Sequence, residues 1–139
     1  MARASNSSEP GRAPVVLVVD DSPVMRRSIQ MSLELGGYAV STAEDGRAAL
    51  ALLRGGLVPD LVLTDIVMPG MDGLALIAEA RKLLRFTPIV ALTTQSRQRQ
   101  RAEGQAAGAT AWLLKPTGGH ELLDLVARFV SAPRRQTPA

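Results

Sequence analysis

Five polar side chains stand where short apolar runs of this chain stop. Asp20 and Asp21 follow Val15–Val19, Asp65 follows residues 61–64, Thr93 closes residues 88–93 and Lys115 follows residues 110–114. Three carboxylates brought together repel one another and need a cation, and all-oxygen ligation favours a hard ion that keeps several waters, such as Mg²⁺. Lys115 supplies a second positive charge and Thr93 a hydroxyl. A carboxylate can attack phosphorus, and a metal ion, an ammonium and a hydroxyl would surround the three oxygens of an arriving phosphoryl group. The chemistry suggested is phosphorylation of one Asp. Asp65 is the best candidate because it stands alone on a central strand, while the adjacent Asp20 and Asp21 suit a metal-binding pair. Singly, each acid has an ordinary explanation as a turn residue or as a helix-start acid near the macrodipole. Their recurrence at successive strand ends carries the argument.

That convergence requires a particular arrangement of elements. Val15–Val19 reads as a strand covered on both faces, and Ser22-Pro23 supplies an N-cap and a first-turn proline for a helix with Val24, Met25, Ile29, Leu33 and Leu35 at roughly helical spacing. Gly36-Gly37 stops it. A second strand over 38–42 leads through Asp45-Gly46 into a helix with Ala48, Ala49, Leu52 and Leu53, which Gly55-Gly56 ends. The third strand, 61–64, runs into Asp65 and the turn-forming Pro69-Gly70 and Asp72-Gly73, after which Leu74, Ile77 and Leu84 share a helix face. A fourth strand spans 88–93, a polar, arginine-rich helix 97–107, a fifth strand 110–114 and a last helix 119–130. Alternating buried strands and helices predict an α/β fold: a doubly wound, five-stranded parallel sheet of flavodoxin-like order 2-1-3-4-5 with five helices on its two faces. In that order the carboxyl ends of strands one, three, four and five converge on one crevice.

Composition narrows the function classes. The chain has 139 residues, 46% of them apolar, enough for one globular domain with a real core. Residues 1–13 and 132–139 are expected to be disordered tails around a domain at 14–131. Cysteine is absent, so there is no disulfide framework or thiolate metal site. No apolar run reaches the roughly 18 residues of a membrane span, and the N-terminus lacks a signal-peptide core, which leads us to expect a cytoplasmic protein. The net charge of +3 comes from the tails, because Lys+Arg and Asp+Glu balance over residues 15–130. Neither nucleic acid nor membrane is an expected partner.

Asp20-Asp21 after a Val-rich strand, Asp65 followed by Met-Pro-Gly-Met-Asp-Gly, Thr93, and Lys115-Pro116 resemble the receiver domain of bacterial two-component response regulators. The resemblance runs unbroken over residues 15–130. Val-Asp-Asp-Ser-Pro-Val-Met-Arg-Arg, Leu-Thr-Thr-Gln-Ser and Ala-Ala-Gly-Ala-Thr-Ala-Trp-Leu-Leu-Lys-Pro look most like the single-domain chemotaxis regulators of the CheY type. The resemblance implies that Asp65 accepts a phosphoryl group from a phosphohistidine on a sensor histidine kinase or a histidine phosphotransfer protein. It implies that Asp21, Asp65 and the backbone carbonyl of Val67 ligate Mg²⁺ directly, with Asp20 acting through water. Thr93 and Lys115 would bind phosphoryl oxygens, the Lys115–Pro116 peptide would be cis, and Trp112 would stand where the family places a switching aromatic. The output surface would be the 97–107 helix, the fifth strand and the last helix, read by a downstream target such as a flagellar motor component.

Several positions depart from the family pattern. Trp112 is bulkier than the usual Tyr or Phe, and we expect it to remain at least partly outward in both states or to need a larger loop shift. Thr117 replaces an aromatic, and Gly118-Gly119 frees the loop before the last helix. Val67 and Gln95 stand where the family tunes water access, and an apolar Val67 predicts slow self-dephosphorylation. Arg97, Arg99 and Arg101 are expected to form a solvated face, and His120 an exposed helix start. The reading is thus a phosphorylation-dependent binding module in chemotaxis or motility signalling, not a turnover enzyme. A phosphorelay intermediate or phosphate sink uses the same residues. An Asp-nucleophile phosphatase usually needs a second acid two residues on, where this chain has Val67.

Overall fold

The structure is a computed structural model and describes residues 12–68, 70–93, 105–116 and 118–131. Five strands, β1 (Val15–Val19), β2 (Ala39–Ala43), β3 (Leu61–Asp65), β4 (Ile89–Thr93) and β5 (Ala111–Leu114), form one parallel sheet in the order β2-β1-β3-β4-β5. Between and after them lie α1 (Pro23–Leu35), α2 (Gly46–Arg54), α3 (Gly73–Leu83) and α4 (Gly119–Ala127). The doubly wound order expected from the sequence is the one observed. Of the polar helix expected over 97–107, only 105–107 are described, and these are helical. The positions Gln95, Arg97, Arg99, Arg101 and Thr117, and nearly all of the expected tails, lie outside the described residues. Among the described residues no helix is long and apolar enough to cross a membrane.

The continuous apolar runs are explained by two cores, one on each face of the sheet. Side chains alternate along a strand, so Leu17, Val62, Ile89, Ala91 and Trp112 face one way, packed with Leu50 of α2 and Ile77 of α3. Val16, Val18, Leu61, Leu63, Val90 and Leu92 face the other, against Leu33 of α1 and Leu122, Leu125 and Val126 of α4. On α1 the apolar spacing misleads: Leu33 is buried, but Val24 is 77% and Leu35 83% exposed. Apolar residues on this helix outnumber the positions that its contact with the sheet can cover.

Local signals position the elements accurately. Ser22, Asp45 and Asp72 each accept a backbone N–H through the side chain and cap α1, α2 and α3. Gly73 is required by packing, since a Cβ there would lie 2.5 Å from the carbonyl oxygen of Asp65. The start of α3 is thereby pressed against the end of β3, and the Gly73 N–H donates to the Ile66 carbonyl at 2.8 Å.

A second fastening lies at the opposite end of the sheet. Arg81 donates from Nε and Nη2 to the Gly108 carbonyl at 3.0 and 2.8 Å, and from Nη1 to the carbonyls of Leu84 and Thr87, both at 2.8 Å. It ties the end of α3 to the approaches of β4 and β5, and its partial burial lowers its pKa. Replacing it leaves several carbonyls without a donor. Arg81→Leu is expected to lower stability by about 2 kcal/mol, seen as a lower urea midpoint with an unchanged slope.

Candidate active site at the carboxyl ends of the strands

The strand ends bring the three acids together. Carboxylate oxygens of Asp20, Asp21 and Asp65 all lie within 4.8 Å of one another. β1 ends one residue before Asp20, and Asp65 is the last residue of β3, its neighbour in the sheet. Parallel pairing of Val19 with Thr64 is what sets the two acids at one level. Asp65 Oδ1 receives two donors, the Lys115 ammonium at 3.2 Å and the Ile66 N–H at 2.8 Å. Lys115 itself is fixed at the end of β5 by its N–H, which donates to the Thr93 carbonyl at 2.8 Å.

Asp20 is the most enclosed of the acids, only 3% exposed. Burial raises its pKa above the ordinary 3.8, the Ser22 N–H at 2.9 Å lowers it, and the charge of Asp65 raises it again. A buried carboxylate that resists ionisation, flanked by two more, is a donor set that a hard divalent cation would relieve. The oxygen-only cluster therefore fits the Mg²⁺ inferred from sequence. Val67, whose carbonyl was expected to join the ligands, follows Asp65 by two residues and is 52% exposed.

One residue with a clear role here was not singled out from the sequence. Arg26 Nη1 donates to the backbone carbonyl of Asp20 at 2.8 Å, while the Arg26 N–H donates to the Ser22 carbonyl at 2.9 Å. The turn carrying Asp20 and Asp21 is thus clamped from α1. The spacing of six residues across a turn matches no short-range pattern, so only the run Met-Arg-Arg on the first helix could have hinted at it.

Two expectations are corrected. No cis peptide bond occurs among the described residues, so Lys115–Pro116 is trans. Trans is the intrinsic preference for a residue before proline, by about 0.5–1 kcal/mol. Trp112 is not outward: it is 1% exposed and belongs to the core on the α2 and α3 face. Across the sheet its partner is Ala91, whose small side chain leaves room for the indole, and Ala107 and Ala109 pack against the same core. Its Nε1 finds no hydrogen-bond partner among the described residues. Thr93, also buried, closes β4 on the face of Trp112, whereas strand alternation puts Asp65 on the face of Leu92. His120 is an exposed residue at the start of α4, as expected.

Two outcomes follow from these environments. A carboxyl with a raised folded pKa destabilises the fold when ionised; the penalty is full above that pKa and is relieved as pH falls toward 3.8. Asp20→Asn, which keeps a carbonyl to accept the Ser22 N–H, should stabilise the metal-free domain to urea at neutral pH. The gain should shrink on acidification through the Asp20 pKa. The enclosed indole of Trp112 should give blue-shifted emission resistant to iodide quenching, and adding a beryllofluoride phosphoryl mimic should produce no further burial-type shift.

Comparison with known proteins agrees with this geometry. The family model of the response regulator receiver domain matches residues 16–127. The response regulator MprA of Mycolicibacterium vanbaalenii is 41% identical over 123 residues, covering 88% of this chain and 52% of that protein. The chain spans about half the length of the curated relatives it matches. Among solved structures, the chemotaxis response regulator CheY4 of Vibrio cholerae superposes with a TM-score of 0.78 at 38% identity, covering 85% of this chain and 99% of that one. The response regulator TrrA of Thermotoga maritima, solved in complex with Mg²⁺ and BeF, gives 0.75 at 35% identity, covering 84% and 99%. The fold, the acid cluster at the strand ends and these matches lead to one conclusion: the chain belongs to the receiver-domain family of response regulators.

Proposed function

We propose that Asp65 is the phosphoacceptor of this receiver domain, taking its phosphoryl group from a phosphohistidine on a sensor histidine kinase or a histidine phosphotransfer protein. The observation that carries the reading is the Lys115 ammonium 3.2 Å from Asp65 Oδ1, inside a set of three carboxylates within 4.8 Å. A carboxylate oxygen of Asp65 attacks phosphorus, the phosphorus–nitrogen bond to the donor imidazole breaks, and that nitrogen takes a proton as it leaves. Lys115 meets the charge on the equatorial oxygens, and the Ile66 N–H holds Asp65 in place. Asp20, Asp21, Asp65 and the Val67 carbonyl would hold Mg²⁺, which supplies charge neutralisation at the phosphoryl oxygens. Thr93 serves as the hydroxyl member of the set and, with Trp112, as the switch.

As a receiver domain the chain is a site of phosphorylation and dephosphorylation that modulates partner interactions, rather than a turnover enzyme. The likeness to a chemotaxis regulator supports a downstream target in motility, such as a flagellar motor component, reached in the cytoplasm. An exposed apolar stripe on α1 beside the site, including Val24, Met31 and Leu35, offers the phosphodonor a surface. The phosphorelay intermediate or phosphate sink shares all these residues and differs only in partner.

Phosphotransfer profiling from a panel of histidine kinases with Mg²⁺ tests the reading. Asp65→Ala should lose all label. Val24→Asp should lose label from the kinase but keep label from a small acyl phosphate. Label persisting in Asp65→Ala refutes the assignment, and many turnovers per Asp65 favour a phosphatase. Because Val67 is apolar and half-exposed two residues after Asp65, Val67→Asn should shorten the phosphoryl half-life, measured by decay of the labelled protein.

A further inference from the structure

A cleft of about 170 Å³ runs from Asp20 and Asp65 down between α1 and α4. An engineered apolar cavity of about 150 Å³ suffices to hold benzene, so this space admits a small ring. Its depth is apolar, lined by Ile29, Leu63, Leu92 and Leu122, while its polar groups gather at the mouth and along one flank. The cleft stays open for reasons written in the chain. The α1 wall carries the short side chains of Ser28 and Ser32, and α4 begins with Gly119 after the cap residue Gly118. A Cβ on Gly118 would meet nothing within 4 Å, whereas one on Gly119 would come within 2.8 Å of Ser32 Oγ.

The charge at the mouth selects the occupant. Asp20 and Asp65 line the mouth with Asp21 within 4.8 Å of both, and the one lining ammonium, Lys115, is already paired with Asp65. An anionic head would be repelled, and a neutral one would leave the excess negative charge unmet. We propose that the cleft binds a small amphiphilic cation, a primary amine or amidine carrying an apolar body about as large as a benzene ring. Its head lies among the acids and its body against Ile29, Leu63 and Leu122. The head occupies the carboxylates that a divalent ion would use, so such a ligand holds the domain in a form without bound metal. Binding depends on the cleft and the acids alone and does not rest on phosphorylation of Asp65.

Benzamidine is a suitable probe, titrated into the full chain without divalent ions and followed by backbone amide shifts. Saturable shifts are expected at Ile29 and Leu122, with an apparent dissociation constant raised about tenfold or more by saturating Mg²⁺. Ser32→Leu should weaken binding about tenfold by filling the cleft, while Mg²⁺ titration is unchanged. Ser28→Leu, at a more exposed position of the same cleft wall, gives the same readout if Ser32→Leu does not fold. Methylammonium, a head without a body, should bind far more weakly than benzamidine. Absence of saturable shifts at Ile29 and Leu122, equal binding of methylammonium, or folded leucine variants that bind as wild type would each overturn the proposal.

Discussion

Holding Asp20, Asp21 and Asp65 within 4.8 Å of one another is the costly feature on which the site depends. Burial opposes the ionisation of Asp20, and the charge of Asp65 beside it adds to the cost. The protein offsets part of it with fixed partners: the Ser22 N–H at Asp20, and the Ile66 N–H and Lys115 at Asp65. What remains is an unrelieved negative field at the carboxyl edge of the sheet. A divalent ion, a phosphoryl group carried in with one, or an organic cation changes that field locally, and the domain is sensitive to it because the acids have nowhere to retreat.

They have nowhere to retreat because both faces of the sheet are packed. β1 and β3 are central strands with side chains buried on each side, so sliding either by one residue would exchange core for core but misalign Asp20 with Asp65. Arg26 fixes the turn after β1 from α1, and the close approach of Gly73 to the Asp65 carbonyl fixes the turn after β3 from α3. Each acid is therefore held from a helix as well as from its strand. Such double anchoring is what a site needs if its groups are to keep their places under mutual repulsion.

Much of this was legible in the sequence because the signals are local. Runs such as Val15–Val19 are strands in a doubly covered sheet, and polar residues ending such runs are the ones a parallel sheet collects. The less legible parts depend on contacts between distant segments. Leu33 and Leu35 look alike on paper, but only the rotation of α1 on the sheet buries one and exposes the other. Arg81 looks like an ordinary helix-end cation until the carbonyls of Thr87 and Gly108 are seen to converge on it. Trp112 was expected outward on the strength of its size, and size proved the wrong criterion: the volume available is set by Ala91 on the neighbouring strand.

The burial of Trp112 changes how a signal can leave the site. Thr93 pairs with Leu114 and Ala91 with Trp112, so the Thr93 side chain and the indole are diagonal neighbours on one face of the sheet. The shift of Thr93 toward a phosphoryl group that its proposed role requires would open space directly beside the ring. An exposed aromatic would answer by swinging in, but this one is already in, with an indole N–H that has no partner among the described residues. An N–H buried without any partner costs about 1–3 kcal/mol, so an arrangement that gives the indole an acceptor is favoured over one that does not. The switch proposed for Thr93 and Trp112 would accordingly take the form of a repacking around a ring that stays buried. Such a switch would draw on the pairing of a buried polar group rather than on the transfer of an aromatic from water to the core.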